Sequence, residues 1–264
     1  RNHSLRSYVG WILLSSLPLS ALWTVMDWST YHRTTRTATY GFLSALPLVV
    51  MYEAMIIAVN QGRVGQVRVG ADVWLKGLLA LIGGTGFLVL GIVVVGVGVV
   101  IFFMERDEDI PLHGRYFAWM VGESAVYALC VALTVSSVVG MIFMTVPPQD
   151  AVGGWWTRLA LSIGAGVYEE LVFRVLLVGG LFALLRRLLG NTLTAYGVAA
   201  VLGAALFSAV HYVGTFGDVF TPASFTFRFL FGLALNGLFL WRGFGIAAWT
   251  HALYDVMLVV SGLA

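Results

Sequence analysis

Residues 157–185 read TRLALSIGAGVYEELVFRVLLVGGLFALL. A helix needs about 20 apolar residues to cross ~30 Å of hydrocarbon, and this run exceeds that length. Near its middle it nevertheless carries Glu169, Glu170 and Arg174. Each charge held at the centre of a lipid-facing helix costs about 2.5–3.5 kcal/mol on insertion scales. The segment therefore reads as a membrane helix whose charged face meets polar groups from neighbouring helices. Only helices and closed barrels satisfy the backbone inside a bilayer, so the rest of the chain should be helical too.

Working outward, the whole composition agrees. Of the 264 residues, 59% are hydrophobic and 11% are Asp, Glu, Lys or Arg, against roughly 25% charged in a soluble domain. The expected fold is an all-α polytopic transmembrane helix bundle of about eight membrane helices, near 9–26, 40–59, 78–104, 116–146, 157–185, 192–213, 225–242 and 244–263. The third and fourth runs are longer than a bilayer requires, so they tilt, protrude or include a short interfacial helix opened by Asp72 to Gly77. Residues 1–26 carry the charge pattern of a signal peptide, but the apolar run is long and no small-residue cleavage site precedes Asp27, so it reads as a first anchor. The charged segment 105–115 (ERDEDIPLHGR) and the Pro147, Pro148, Gly153 and Gly154 cluster read as loops. Trp155, Trp156 and Trp241 fall at run edges, where indoles favour headgroups. Residues 1–150 form accessory membrane helices and 151–264 the helices that carry chemistry, within one transmembrane domain.

Net charge is +2, with arginines in short connections and no basic patch interleaved with aromatics, which excludes nucleic acid as a partner. The single cysteine, Cys130, reads as a small packing residue. Arg1, Arg6, Arg63, Arg68 and Lys76 favour a cytoplasmic N-terminus, although Arg186 and Arg187 vote the other way.

Three of the last four runs carry polar residues one helical turn apart. Glu170 and Arg174 stand at i and i+4 with the acid first, the order that favours an ion pair. Glu169 is rotated about 100° from Glu170 on a regular helix, which leaves it free to point elsewhere. Phe207 and His211 share a face, as do His251 and Asp255. A carboxylate in a dry pocket suits a general base that takes a proton from water, and imidazoles nearby can orient that water or donate to an oxyanion.

The blocks Glu-Glu-x-x-x-Arg at 169–174, Phe-x-x-x-His at 207–211 and His-x-x-x-Asp at 251–255 resemble the signature of the CPBP family, the CAAX proteases and bacteriocin-processing enzymes also called Abi. The resemblance spans roughly 155–260 and implies an intramembrane endopeptidase similar to the type II CAAX prenyl endopeptidase. It implies that Glu169 activates water, His211 binds or polarises it, and His251 with Asp255 stabilises the oxyanion, supported by Glu170, Arg174 and Phe207. A carboxylate donates poorly to an oxyanion unless protonated, so orienting His251 is the better role for Asp255. Family members have been described both as metalloproteases and as metal-free glutamate proteases. The cofactor expectation is accordingly none or a divalent metal, zinc if any, held by Glu169, His211 and His251. The implied partners are the bilayer and a membrane-anchored or lipid-linked protein or peptide, in the plasma (inner) membrane if the source is bacterial.

Other readings stand beside this one. Midplane Glu, Arg and His also build proton-coupled transporters, and the family fold without catalysis could serve as an immunity or regulatory protein. Glu53, Glu123 and Asn236 read as buried hydrogen-bond partners, and His3, His32 and His113 as solvated. The run Gly83-Gly-Thr-Gly86, with Gly91, Gly96 and Gly98, lacks the Lys-Ser/Thr ending of a phosphate loop and reads as close helix packing.

Overall fold

The computed structural model describes residues 27–61, 67–81, 86–143, 153–214 and 217–262. The expected first anchor, His3, Gly83 and the prolines 147 and 148 lie outside them. Among the described residues all regular structure is helical. Helix α1 (Trp28–Thr35) is followed by α2 (Ala38–Val59), α3 (Gly70–Leu81), α4 (Gly86–Glu105) and α5 (Gly114–Phe143). The next helical stretch runs from α6 (Trp155–Gly164) through two π-helical segments, Ala165–Glu169 and Leu171–Val178, into α7 (Gly179–Leu189). Helices α8 (Thr192–Val210), α9 (Pro222–Arg242) and α10 (Phe244–Ser261) complete the chain. Residues 34–264 form one compact unit, which holds the candidate site.

The helix ends follow from local chemistry. Thr37 caps α2 through Tyr40 N, and the Glu105 carboxylate accepts from Ala38 N and Thr39 N at 2.8 Å each, placing negative charge where the helix dipole is positive. Asn191 and Thr221 cap α8 and α9 in the same way, and Pro222 occupies the first turn, where no N–H is needed. Gly243, at φ 84°, makes the turn between α9 and α10 with a backbone conformation that a side chain would strain.

Helices α2, α5, α8, α9 and α10 are long and apolar enough to cross a membrane, and the protein is an integral multi-pass membrane protein. Half of the apolar window of α10 is buried inside the protein but only 17% of that of α5, so α10 is interior and α5 faces mostly outward. Helix α10 packs against α2, α5, α6 and α9.

Several expectations need correction. Within the run expected at 78–104, residues 78–81 belong to α3, which also carries Asp72 and Lys76, and Leu90–Glu105 is an apolar helix, while residues 82–85 lie outside the described residues. Cys130 is exposed on α5 rather than packed. Of the later glycines only Gly98 meets a neighbour, the Phe42 ring at 3.1 Å, while Gly91 and Gly96 face open space. His113 is half-buried, edge-on to Tyr116 at 4.8 Å, and His32 is also partly covered, so neither is fully solvated. Glu53 and Asn236 are buried and hydrogen-bonded as expected.

Candidate active site

The site lies where the π-helical segment, the C-terminal end of α8 and the middle of α10 meet. Glu170 is fully buried. Its Oε1 is 2.7 Å from Nδ1 of His251, and its Oε2 is 3.0 Å from Nε of Arg174. The second contact is close enough for an ion pair but lies off the N–H direction, so it is electrostatic and not a hydrogen bond. Arg174, itself 1% exposed, reaches the Gly232 carbonyl at 3.5 Å and lies over the Phe207 ring at 4.6 Å. Its charge is thus met by a carboxylate, a carbonyl and a π face.

On its other side His251 turns Nε2 toward Asp255 Oδ2 at 3.5 Å and Glu169 Oε2 at 4.0 Å. Three carboxylates surround one buried imidazole. Glu170 is the carboxylate on Nδ1, and Asp255 lies on the Nε2 side of the same ring. His251 is walled by the rings of Phe231 at 5.1 Å and Phe207 at 6.1 Å, both edge to face. Those walls fix the ring plane and lower the local dielectric.

His211 stands just past the end of α8, with Nδ1 2.7 Å from the Phe207 carbonyl. A carbonyl only accepts, so Nδ1 carries the proton and the lone pair of the neutral ring is on Nε2. The charges of Glu169 and Arg228 both reach this ring. Glu169 and Asp255 keep 16% and 27% of their side-chain surface, whereas Glu170 keeps none, so the groups that can meet water are separated from those that hold the frame.

The structure therefore brings Glu169, Glu170, Arg174, His251 and Asp255 together in direct or near contact, with His211 and Phe207 beside them. Among the described residues, no three of His, Cys, Asp and Glu stand together as a metal-ligand set. Glu169 and the two Nε2 atoms are donors of the right type for zinc, but among the described residues they do not form a metal-ligand set, and no step below passes through a metal.

The model of the type II CAAX prenyl endopeptidase Rce1-like family matches residues 151–257. Those residues are similar to that family. No curated protein and no solved structure matches the chain. The match takes in all three motif blocks and ends two residues beyond Asp255, which bears out the resemblance read from those motifs. The family is one of endopeptidases, and the likeness of residues 151–257 to it points toward peptidase chemistry.

Sequence reasoning missed several residues around this polar centre. Arg228 donates to Tyr212 at 2.8 Å and to Asp218 at 2.5 Å, and Asp218 N donates to the His211 carbonyl at 2.8 Å, so this trio holds the chain that follows His211. Its signal was present: an arginine inside an apolar run, as costly there as Arg174. Glu53 belongs to a cluster with Arg68, Asp72 and Lys76 on α2 and α3, into which Tyr168 donates at 3.0 Å. In that cluster burial alone would lower Arg68, but its hydrogen bond to Asp72 and the charges of Asp72 and Glu53 raise it above its ordinary value.

Proposed function

We propose that the chain is an intramembrane endopeptidase in which Glu169 activates a water to cleave a membrane-anchored or lipid-linked peptide. The observation that carries this reading is the 4.0 Å gap between Glu169 Oε2 and His251 Nε2, a distance that one water spans while touching both. Glu169 takes a proton from that water, and the oxygen bonds to the scissile carbonyl carbon. Nε2 of His251, when it also carries a proton, donates to the oxyanion, held in line from behind by Glu170. The C–N bond then breaks, and Glu169 returns its proton to the leaving amine. With its lone pair on Nε2, neutral His211 accepts from the water and aims it. A helical substrate must unwind first, because intact backbone hydrogen bonds hide the scissile carbonyl.

The test is cleavage of a library of membrane-anchored peptides by the purified protein in proteoliposomes. Glu169→Gln and His211→Ala should each reduce the rate by at least about 100-fold, the usual contribution of a positioned acid–base group. Full cleavage by Glu169→Gln would overturn the assignment. Activity that persists with a chelator supports the metal-free route, and a loss that zinc restores assigns Glu169, His211 and His251 to a metal instead. Glu169-dependent proton-coupled uptake without cleavage would point to a carrier.

A further inference from the structure

Tyr168 immediately precedes Glu169 and is 2% exposed. Its hydroxyl does not point toward His251. It donates instead to Glu53 Oε1 on α2, at 3.0 Å. Glu53 is itself fixed from several directions: Lys76 Nζ donates to the same oxygen at 2.6 Å, and Arg68 reaches the other at 3.3 Å. Asp72 holds the two cations in place, at 2.7 Å from Arg68 Nη1 and 2.8 Å from Lys76 Nζ, and accepts from the Tyr52 hydroxyl at 2.9 Å. Two acids and two bases thus close into a neutral cage across α2 and α3. Each acid has several partners and little freedom to turn, so the cage is a stiff anchor point.

The backbone that carries Tyr168 and Glu169 is π-helical. A π-turn has wider geometry and weaker self-support than an α-turn, and its local rotation is set by what packs against it. On one side Gly166 lies against α10, where an added Cβ would sit 2.6 Å from Ala252 N and 2.7 Å from Ala248 O. On the other side the Tyr168 ring lies edge-on to Tyr52, 5.2 Å between centroids, and its hydroxyl is tied to the cage. The turn is gripped from both flanks, and Glu169 is its last residue.

We propose that Tyr168 is a positioning residue: its hydroxyl, anchored on the Glu53 cage, sets the rotation of the π-turn and so the gap between Glu169 and His251. The inference rests on the peptidase reading only in the consequence for turnover. The geometry itself concerns the resting protein.

The experiment uses the full chain in nanodiscs with three variants. Tyr168→Phe removes only the anchoring oxygen. Glu53→Gln keeps an oxygen to accept from that hydroxyl. Tyr40→Phe is the control, because it removes a buried hydroxyl that bonds to Pro111 O and His113 N, far along the chain from the site. Three quantities are read: kcat and KM on a peptide that the wild type cleaves, the 15N chemical shifts of the His251 ring, and the melting temperature. In Tyr168→Phe, kcat should fall about tenfold or more with KM within about twofold, since a misplacement of about 1 Å costs up to about 100-fold. The His251 Nε2 signal should move in the same variant, and Tyr40→Phe should change neither at a comparable melting temperature. Glu53→Gln keeps an oxygen for that hydroxyl but takes a carboxylate from Lys76 and Arg68, so its melting temperature should fall while its kcat drops less than in Tyr168→Phe. Wild-type kcat and an unmoved His251 signal in Tyr168→Phe would overturn the proposal, and so would equal losses in Tyr168→Phe and Tyr40→Phe. If the wild type cleaves nothing, the peptidase reading fails, while the His251 signal still decides whether Tyr168 positions the turn.

Discussion

Glu169 and Glu170 are the same residue type in adjacent positions, so the difference between them comes from their surroundings. Glu170 is closed off and shared between His251 and Arg174, whereas Glu169 keeps a partly open side chain. This predicts separable defects. Glu170→Gln keeps an acceptor for His251 Nδ1 but leaves the Arg174 guanidinium without its carboxylate. Breaking a buried pair in this way costs about 3–5 kcal/mol, read as a large fall in thermal melting together with lost cleavage. Glu169→Gln, by contrast, should melt within about 1 kcal/mol of wild type, because its partly open side chain lies 4.0 Å from His251, beyond hydrogen-bond distance. The i, i+4 pair of Glu170 and Arg174 was legible in the sequence because helical spacing predicts it. The tie from Glu170 to His251 was not, because those residues are 81 positions apart and nothing in one sequence encodes a contact at that range. Spacing thus points to Asp255 beside His251, where it stands on the Nε2 side, but not to Glu170 on Nδ1.

At the scale of elements, the decisive feature is the π-helical stretch between α6 and α7. A regular α-helix was the expectation, and the apolar pattern of 157–185 is too uniform to betray extra residues per turn. Such segments are commonly found at functional sites, where they re-aim side chains that an α-helix would place elsewhere. Gly166 allows α10 to approach this stretch, and the neighbour it would strike is Ala252, adjacent to His251. Gly166→Ala should therefore act on both fold and chemistry. Backbone atoms 2.6 and 2.7 Å from the new Cβ cannot yield as a flexible side chain does, so the helices must separate, at a cost of about 1–3 kcal/mol. The same separation widens the gap from Glu169 to His251, and cleavage should drop about tenfold or more. Thermal melting and the rate in proteoliposomes check the two effects, and a variant with normal rate would show that α10 does not set that gap. The element positions themselves were largely readable: α2, α5, α8, α9 and α10 each start or end within about three residues of the hydropathy runs.

On the scale of the whole molecule, the segment similar to the Rce1-like family does not stand apart from the helices that precede it. Trp249 Nε1 donates to Ser44 O at 2.8 Å, Ser124 donates to Ile246 O at 3.3 Å, and Tyr168 ties to Glu53. These contacts were not legible as pairs, although the acids Glu53 and Glu123 were readable as partnered because a charge in an apolar run must find a partner. The partner of Glu123 is Arg242, at the end of α9 and fully buried. Its Nε and Nη2 donate to Oε1 and Oε2 at 2.6 and 2.7 Å, a two-point grip that fixes the angle of the guanidinium. Arg242 also donates to Thr35 at 3.0 Å and directly precedes the Gly243 turn into α10, so the grip sets where the helix bearing His251 begins. Truncating one partner strands the other charge, and Glu123→Leu alone should destabilise the protein by about 3–5 kcal/mol. Replacing both, Glu123→Leu with Arg242→Met, removes the desolvation cost along with the attraction and should recover most of that loss. Cleavage discriminates what the pair is for. If it serves only to neutralise buried charge, the double variant regains both melting temperature and rate. If it fixes the start of α10, melting temperature returns while the rate stays at least about tenfold low, because an apolar pair packs without defining an angle. The two-point geometry leads us to expect the second outcome.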